Sequence, residues 1–309
     1  MTRHIVVLTG GVGGAKLVLG LQSLTSVGQL TAIVNTGDDF RHLGLHISPD
    51  IDTLLYTLSG KANAAQGWGR EGESWSFMSA LRELGGEDWF ALGDKDMALH
   101  VLRSMRLASG EGLAAITRDF ARQWGIETEV LPMSEQSVMT HVRTDEGVLE
   151  FQRYFVERRC EPALIGVEFR GAEAALPAPG VTAAITSADV ILIAPSNPFL
   201  SIDPILAIPG LRKALEERRG PVVAVSPIVG GKAVKGPTAK LMAEMNLEVS
   251  NAAIARHYDG LIDGLLVDTD DVAPEGIAVA RTDTMMHDLD DKVRVARAAL
   301  DLALTLSRV

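Results

Sequence analysis

The sequence predicts an α/β fold, a Rossmann-like, doubly wound and mostly parallel sheet with a helical insertion, and two observations carry that expectation. Short β-branched and aliphatic runs with almost no polar residue inside them recur at Ile5 to Leu8, Thr31 to Val34, Asp189 to Ala194, Pro221 to Val225 and Leu261 to Val267. Runs of that kind suit parallel strands covered on both faces. Four of them lead into small, polar or glycine-rich loops: residues 10–14 (GGVGG), 35–39 (NTGDD), 195–198 (PSNP) and 226–231 (SPIVGG). Ligands of doubly wound sheets sit outside the carboxyl ends of the strands, so four such loops are expected to converge on one crevice.

The first run, its glycine loop and the apolar-periodic stretch Lys16 to Leu21 form a strand, loop, helix unit. Further along, the periodicity becomes helical near Ser74 to Leu84, Lys95 to Leu107 and Leu113 to Trp124. Val142 to Thr144 and Val148 to Phe155, flanking Asp145-Glu146-Gly147, read as a hairpin. The chain is therefore expected to be one α/β domain over residues 1–309, with residues 61–165 a mainly helical insertion plus hairpin. Asp290 to Leu306 is an amphipathic helix that packs on the sheet.

Composition narrows the function classes. A hydrophobic content of 47% over 309 residues fills a sizeable core. The 29 Lys and Arg against 40 Asp and Glu, a formal charge of −11, argue against nucleic acid as a partner, because a polyphosphate backbone demands a basic face. An anionic ligand should be small and held by backbone amides and local cations such as Arg158, Arg159, Lys232 and Lys235. The single cysteine, Cys160, can form neither an internal disulfide nor a CxxC metal site, which fits a reducing compartment. No stretch reaches the roughly 20 apolar residues that span a bilayer, and no signal-peptide core follows Met1, so the expectation is a cytoplasmic protein with no membrane partner.

Candidate chemistry gathers in two places. Gly10, Gly11, Gly13 and Gly14 lie at a helix start, where bare N–H groups and the helix dipole hold phosphate and Lys16 adds a charge; the same glycines would equally allow close packing of helix on strand. The loop lacks the Gly-Lys-Ser/Thr ending of a P-loop and the third glycine of a dinucleotide fingerprint, which counts against an NAD-dependent oxidoreductase. Asp38, Asp39, Asp50 and Asp52 place four carboxylates within fifteen residues. Asp50 and Asp52 read either as helix-start acids or as oxygen ligands recruiting Mg²⁺ to substrate phosphates, with Asp38, Asp50 and Asp52 as the catalytic candidates. Asp94 and Asp96 open a helix that carries His100 and Arg103, and Trp68, Trp75 and Trp89 offer faces on which a flat heterocycle could stack. His42 and His46 lack the HExxH frame of a zinc site, and no Gly-x-Ser-x-Gly elbow marks a serine hydrolase.

Taken in order, GGVGGAK (10–16), VNTGDD (34–39), HISPDIDTLLYTLSG (46–60), ALGDKDMALHVLRS (91–104), LPMSEQ (131–136), APSNPFLSIDPILAIPGLR (194–212) and VSPIVGGKAVKGP (225–237) resemble the 2-phospho-L-lactate transferase family of coenzyme F-420 biosynthesis. The resemblance implies a Mg²⁺-dependent transfer of a phospho-acid group from a guanosine diphosphate-linked donor to the ribityl hydroxyl of the deazaflavin alcohol Fo, with GMP leaving. It also implies a homodimer. By motif position the acceptor falls on Asp52 and Ala91, near Asp94. The nucleotide falls on the glycine loop, on Asn35 at the end of the second strand, on Ser196, Asn197 and Pro198, and on the loop from Ser226 to Gly230. A related expectation is a non-catalytic YvcK-like regulator that binds nucleotide sugars with a similar glycine loop. The donated acid, lactate, enolpyruvate or glycerate, is not legible.

Overall fold

The computed structural model describes residues 3–233 and 238–307, and the side chain of Ala233 is also outside the description, so Lys235 and the end of its motif lie outside the described residues. Seven parallel strands form the central sheet: β1 Ile5–Thr9, β2 Leu30–Val34, β3 Glu129–Pro132, β4 Val190–Ile193, β5 Val222–Val225, β6 Gly264–Asp268 and β7 Ala278–Thr282. Their order is β7-β6-β5-β4-β1-β2-β3. The chain thus winds outward one way from β1 through β3, returns to the other side of β1 at β4, and winds outward again. The switch point lies between β1 and β4, where a crevice opens by construction.

Alternation along each strand divides the core into two layers. Val6, Leu8 and Ile33 pack on one face of the sheet, and Ile5, Val7, Ala32 and Val34 pack on the other. Because both faces are covered, β1, β2, β4 and β5 carry no exposed residue, which is why they read as unbroken apolar runs. The second layer is built from helices α1 Gly11–Gln22, α2 Pro49–Leu58, α5 Leu113–Gln123 and the terminal α6 Leu289–Leu306, with α3 Ser76–Glu83 and α4 Asp96–Ala108 beyond α2. Asp288 starts α6 with a reciprocal capping box to Asp291.

Two edge strands escape the expectation drawn from apolar runs. Strand β3 ends in Pro132 and begins with the exposed Glu129, and β7 is only partly buried, so neither is an unbroken apolar run. Strand β3 pairs with β2 from within residues 61–165, so that segment leaves the sheet, returns to it once, and leaves again. The expected hairpin is present as Met139–Thr144 and Gly147–Glu150, and a third strand, Leu164–Arg170, joins it. The second strand stops at Glu150, and residues 151–155 are helical where the strand was expected to run on to Phe155.

Helix α1 lies against α6 at Gly20, where a Cβ would sit 2.2 Å from the Lys292 carbonyl oxygen. Ala at that position gains helix propensity but meets the backbone of a second helix, which cannot swing aside. Gly20→Ala should therefore lower unfolding free energy by about 1–3 kcal/mol, read as a drop in urea midpoint; an equal or higher midpoint would mean that α1 and α6 part freely.

Candidate functional site

The four sequence loops meet as expected. The loops after β1, β2, β4 and β5 border one cavity of about 1070 Å³, with Gly10, Asp38, Ser196 and Ser226 among its lining residues. Its floor is the first turn of α1. Gly11 adopts φ +64, a left-handed conformation that favours glycine, and Gly10 approaches α2 so closely that a Cβ would lie 2.6 Å from Asp50 Oδ2. Gly13 also lines the cavity, and its own backbone abuts the Pro195 carbonyl, 2.7 Å from where a Cβ would stand. Gly14 serves packing instead: its Cβ would collide with Thr9 Oγ1 at 2.1 Å. Close packing of helix on strand is therefore the role of Gly14, while Gly10, Gly11 and Gly13 border the cavity.

Buried carboxylates gather around this turn. Asp50 accepts the Gly11 N–H at 2.8 Å and the Asn35 amide at 2.9 Å. Burial nevertheless pushes its carboxyl up to about 6, against those two hydrogen bonds. Asp38 is raised well above the usual carboxylate range by burial and then by the neighbouring Asp50, and its Oδ1 has no hydrogen-bond partner. Two acids that each resist ionisation in the other's presence define a place where a cation would be welcome. Asp39 faces His46 Nε2 at 3.0 Å and accepts the Ser48 hydroxyl at 2.8 Å, which fastens the hairpin Phe40–His42 and Leu45–Ile47 to the start of α2. Among the described residues no group of three or more His, Cys, Asp or Glu forms a protein-only metal cage.

Asp52 is committed elsewhere. Both of its oxygens take the guanidinium of Arg103, one from Nη1 at 3.1 Å, and Arg103 is fully buried. One turn further along α2 the Tyr56 hydroxyl donates to Asp96 at the start of α4. His100, 2% exposed, sits among these groups with Nδ1 3.7 Å from Asp52 and Nε2 3.2 Å from Asp96. The sequence places His100 and Arg103 on one helix but does not pair them with Asp52, which lies on a different helix, 51 residues from Arg103.

An aromatic wall closes one side. Trp68, Trp89, Phe90, Phe151 and Phe155 line the cavity, and Phe151 stacks on Phe155 at 5.4 Å. Arg153 lies 4.2 Å over the Trp89 ring and bonds Glu87 at 3.0 Å. Trp75 is not on this wall. His42 packs edge-on against Trp89 at 5.1 Å.

Of the remaining sequence candidates, Ala91, Lys16, Asn197 and Ser226 line the cavity. Lys16 donates to the Met286 carbonyl at 2.5 Å, which draws residues 284–287 over the pocket. Asn197 caps the short helical turn Pro198–Ile202 by accepting from Phe199 and Leu200 at 3.0 and 3.1 Å, and its buried amide nitrogen has no partner. Asn35 stands behind Asp50 as a support, fully buried and also bonded to the Leu200 carbonyl. Pro198 starts its helical turn and Gly230 (φ +60) turns its loop; neither borders the cavity. Asp94 is a cap, taking the N–H groups of Ser76 and Phe77 at the start of α3. Arg158 pairs with Glu146, and Lys232 is exposed away from the pocket.

The fold and site together define an α/β protein with an acid-lined glycine turn at the switch point of its sheet. The chain belongs to the 2-phospho-L-lactate transferase CofD family, whose profile matches residues 5–302, and it is a transferase of that type. It is 44% identical over 312 residues to a phosphoenolpyruvate transferase of Streptomyces griseus, covering 97% of this chain and 98% of the relative. It is also 41% identical over 319 residues to one of Thermobifida fusca (98% and 98%) and 39% identical over 321 residues to one of Mycolicibacterium smegmatis (97% and 98%). A crystal structure of a UPF0052 family protein from Bacillus halodurans shares the fold, with TM-score 0.66 and 18% identity over 97% of this chain and 99% of that one. Among the described residues no helix is long and apolar enough to cross a membrane.

Removing Arg103 would strand a buried carboxylate. Arg103→Met should cost about 3–5 kcal/mol of stability, and Asp52→Asn in the same chain should recover most of it. Denaturant unfolding of the single and double variants checks this; a single variant as stable as the parent would show that Asp52 reaches solvent.

Proposed function

We propose that this protein transfers a phosphoenolpyruvyl group from a guanosine diphosphate-linked donor to the terminal ribityl hydroxyl of Fo, releasing GMP, in coenzyme F-420 biosynthesis. The hydroxyl oxygen forms a bond to the phosphorus that carries the acid. The bond from that phosphorus to the GMP oxygen breaks, and the hydroxyl proton passes to solvent or a nearby carboxylate. One observation carries the reading: a glycine turn, a buried pair of acids and an aromatic wall border the same cavity. The names of the relatives favour enolpyruvate as the donated acid over lactate or glycerate.

The charge of the cavity supports a metal. Among its described lining residues Asp38, Asp50, Asp52 and Asp96 face a single lysine or arginine, Lys16, and of the four only Asp52 is paired with an arginine behind the wall, Arg103. A diphosphate entering alone would meet repulsion in a low-dielectric site, whereas Mg²⁺ takes one or two carboxylates, waters and phosphate oxygens without needing a protein cage. Asp38 and Asp50 fit that role, since Asp38 Oδ1 is unpartnered and both carboxyls resist ionisation. Asp52, expected from the sequence to share the metal with Asp50, has both oxygens on Arg103 and suits acceptor recognition instead. When bound, the ion would neutralise charge on the phosphoryl oxygens.

The chain's own residues then position the reactants. The first turn of α1, at Val12 and Gly13, presents amides toward the diphosphate, and the Asn197 amide nitrogen adds a donor from across the switch point. Lys16 holds residues 284–287 against the pocket mouth and places positive charge beside the nucleotide. The aromatic wall takes the tricyclic ring and excludes water from the transfer. A homodimer and a cytoplasmic location belong to the same reading.

Transfer itself is checked by incubating the protein with Fo, Mg²⁺ and each guanylylated acid and identifying the product by mass. The enolpyruvyl donor should react fastest, and failure with all three would sink the reading.

Metal binding gives a second check. Burial raises both carboxyls, so the metal-free protein is favoured by their protonation; the share due to Asp50 is lost as pH rises from the ordinary carboxylate range through about 6, and Asp38 acts in the same direction. Protons and Mg²⁺ compete for the pair. Added Mg²⁺ should raise Tm at pH 8.5, leave it unmoved at pH 5, and leave Asp38→Asn unmoved at both; an equal rise in that variant would place the ion elsewhere.

A further inference from the structure

The stretch of cavity between α2 and α4 has polar capacity that the reaction as described does not use. Two turns face each other there: Asp52 and Tyr56 on α2, Asp96 and His100 on α4. Arg103 saturates one side of Asp52, and Tyr56 occupies one oxygen of Asp96. His100 is the exception. Its ring is 2% exposed, it lines the cavity, and its Nδ1 has no hydrogen-bond partner. Nε2 lies against Asp96 Oδ2 at 3.2 Å, whereas the 3.7 Å from Nδ1 to Asp52 Oδ2 is beyond a hydrogen bond.

A buried imidazole nitrogen without a partner costs free energy unless something supplies one. The 3.7 Å gap between His100 Nδ1 and Asp52 Oδ2 has a definite shape. An oxygen placed about 2.8 Å from each would close a triangle with both, accepting from the imidazole Nδ1–H and donating its one proton to the carboxylate. A hydroxyl can do this because it is donor and acceptor at once; a carboxylate or phosphate oxygen cannot, because it would face Asp52 as a second anion. A neutral, hydroxylated chain suits the place and an anionic one does not.

We infer that His100, with Asp52, forms a subsite for a hydroxyl on the polyol chain of the acceptor. The inference rests on the function proposed above and assigns the acceptor's chain to the α2–α4 side of the cavity, apart from the glycine turn. Its ring lies against the aromatic wall and its chain runs past His100, so recognition of the chain and of the ring are separable.

The test uses the full-length protein and calorimetric Kd values for two probes, Fo and the same deazaflavin ring system without its ribityl chain. His100→Phe, which keeps a ring and loses both nitrogens, should weaken Fo binding about tenfold and leave the chain-less ring and GDP unchanged. His100→Asn, whose amide falls near Nδ1, should recover most of the Fo affinity, and His100→Gln, whose amide falls near Nε2, should not. Should His100→Phe fail to fold, the contrast between Asn and Gln decides. Equal losses for Fo and the chain-less ring, or no loss for either, would overturn the subsite. Failure of the parent protein to bind Fo at all would overturn the proposed function together with this inference, whereas Fo binding untouched in every variant would overturn the inference alone.

Discussion

The contact between the Asp50 carboxylate and the first turn of α1 is the constraint around which the site is built. It needs a glycine at position 10 because there is no room for a Cβ, and it fixes α2 against α1 through the Gly11 N–H. It also needs Asn35, at the end of β2, to supply the other hydrogen bond. Three segments that each end or begin a secondary-structure element are thereby locked into one geometry. Moving Asp50 would displace the glycine turn, the neighbouring Asp38 and the support behind both.

That arrangement stores unfavourable electrostatics in a place where a ligand can relieve them. A protein selected for stability alone would not bury Asp38 and Asp50 together, since each makes ionisation of the other harder. The Arg103–Asp52 pair is a different case, because its charges compensate each other and no cation is needed beside it. The cavity thus contains both a compensated ion pair and an uncompensated acid pair. The difference between them separates a carboxylate suited to a neutral hydroxyl from a pair suited to a metal ion.

How much of this was legible in the sequence follows from the range of the forces involved. Strands β1, β2, β4, β5 and β6 announced themselves because burial on both faces leaves no room for polar residues. The edge strands β3 and β7 did not, since an edge tolerates Pro132 and the half-exposed Ala278–Thr282. The loops around Gly10, Asp38, Ser196 and Ser226 were readable because turns near a ligand favour glycine and small residues. Asp94 illustrates the opposite outcome: an acid in a distinctive motif proved to be a helix cap, which local sequence cannot tell from a binding residue. Arg103 was legible only as a residue of the helix opened by Asp94 and Asp96, because its partner Asp52 is 51 positions away, and the contribution of Phe151 and Phe155 to the wall had no local signal.

Strand β1, near the start of the chain, lies between β2 and a strand that begins only at residue 190, and Lys16 is tied to Met286 across 270 positions of sequence. During synthesis Lys16, just after the glycine turn, leaves the ribosome 270 residues ahead of Met286 on the opposite wall. The turn must wait, with its sheet half paired, until that wall has emerged. A truncated product would therefore carry the recognisable glycine motif and no pocket, so the ability to bind substrate appears in one step, late in folding, rather than growing with the chain.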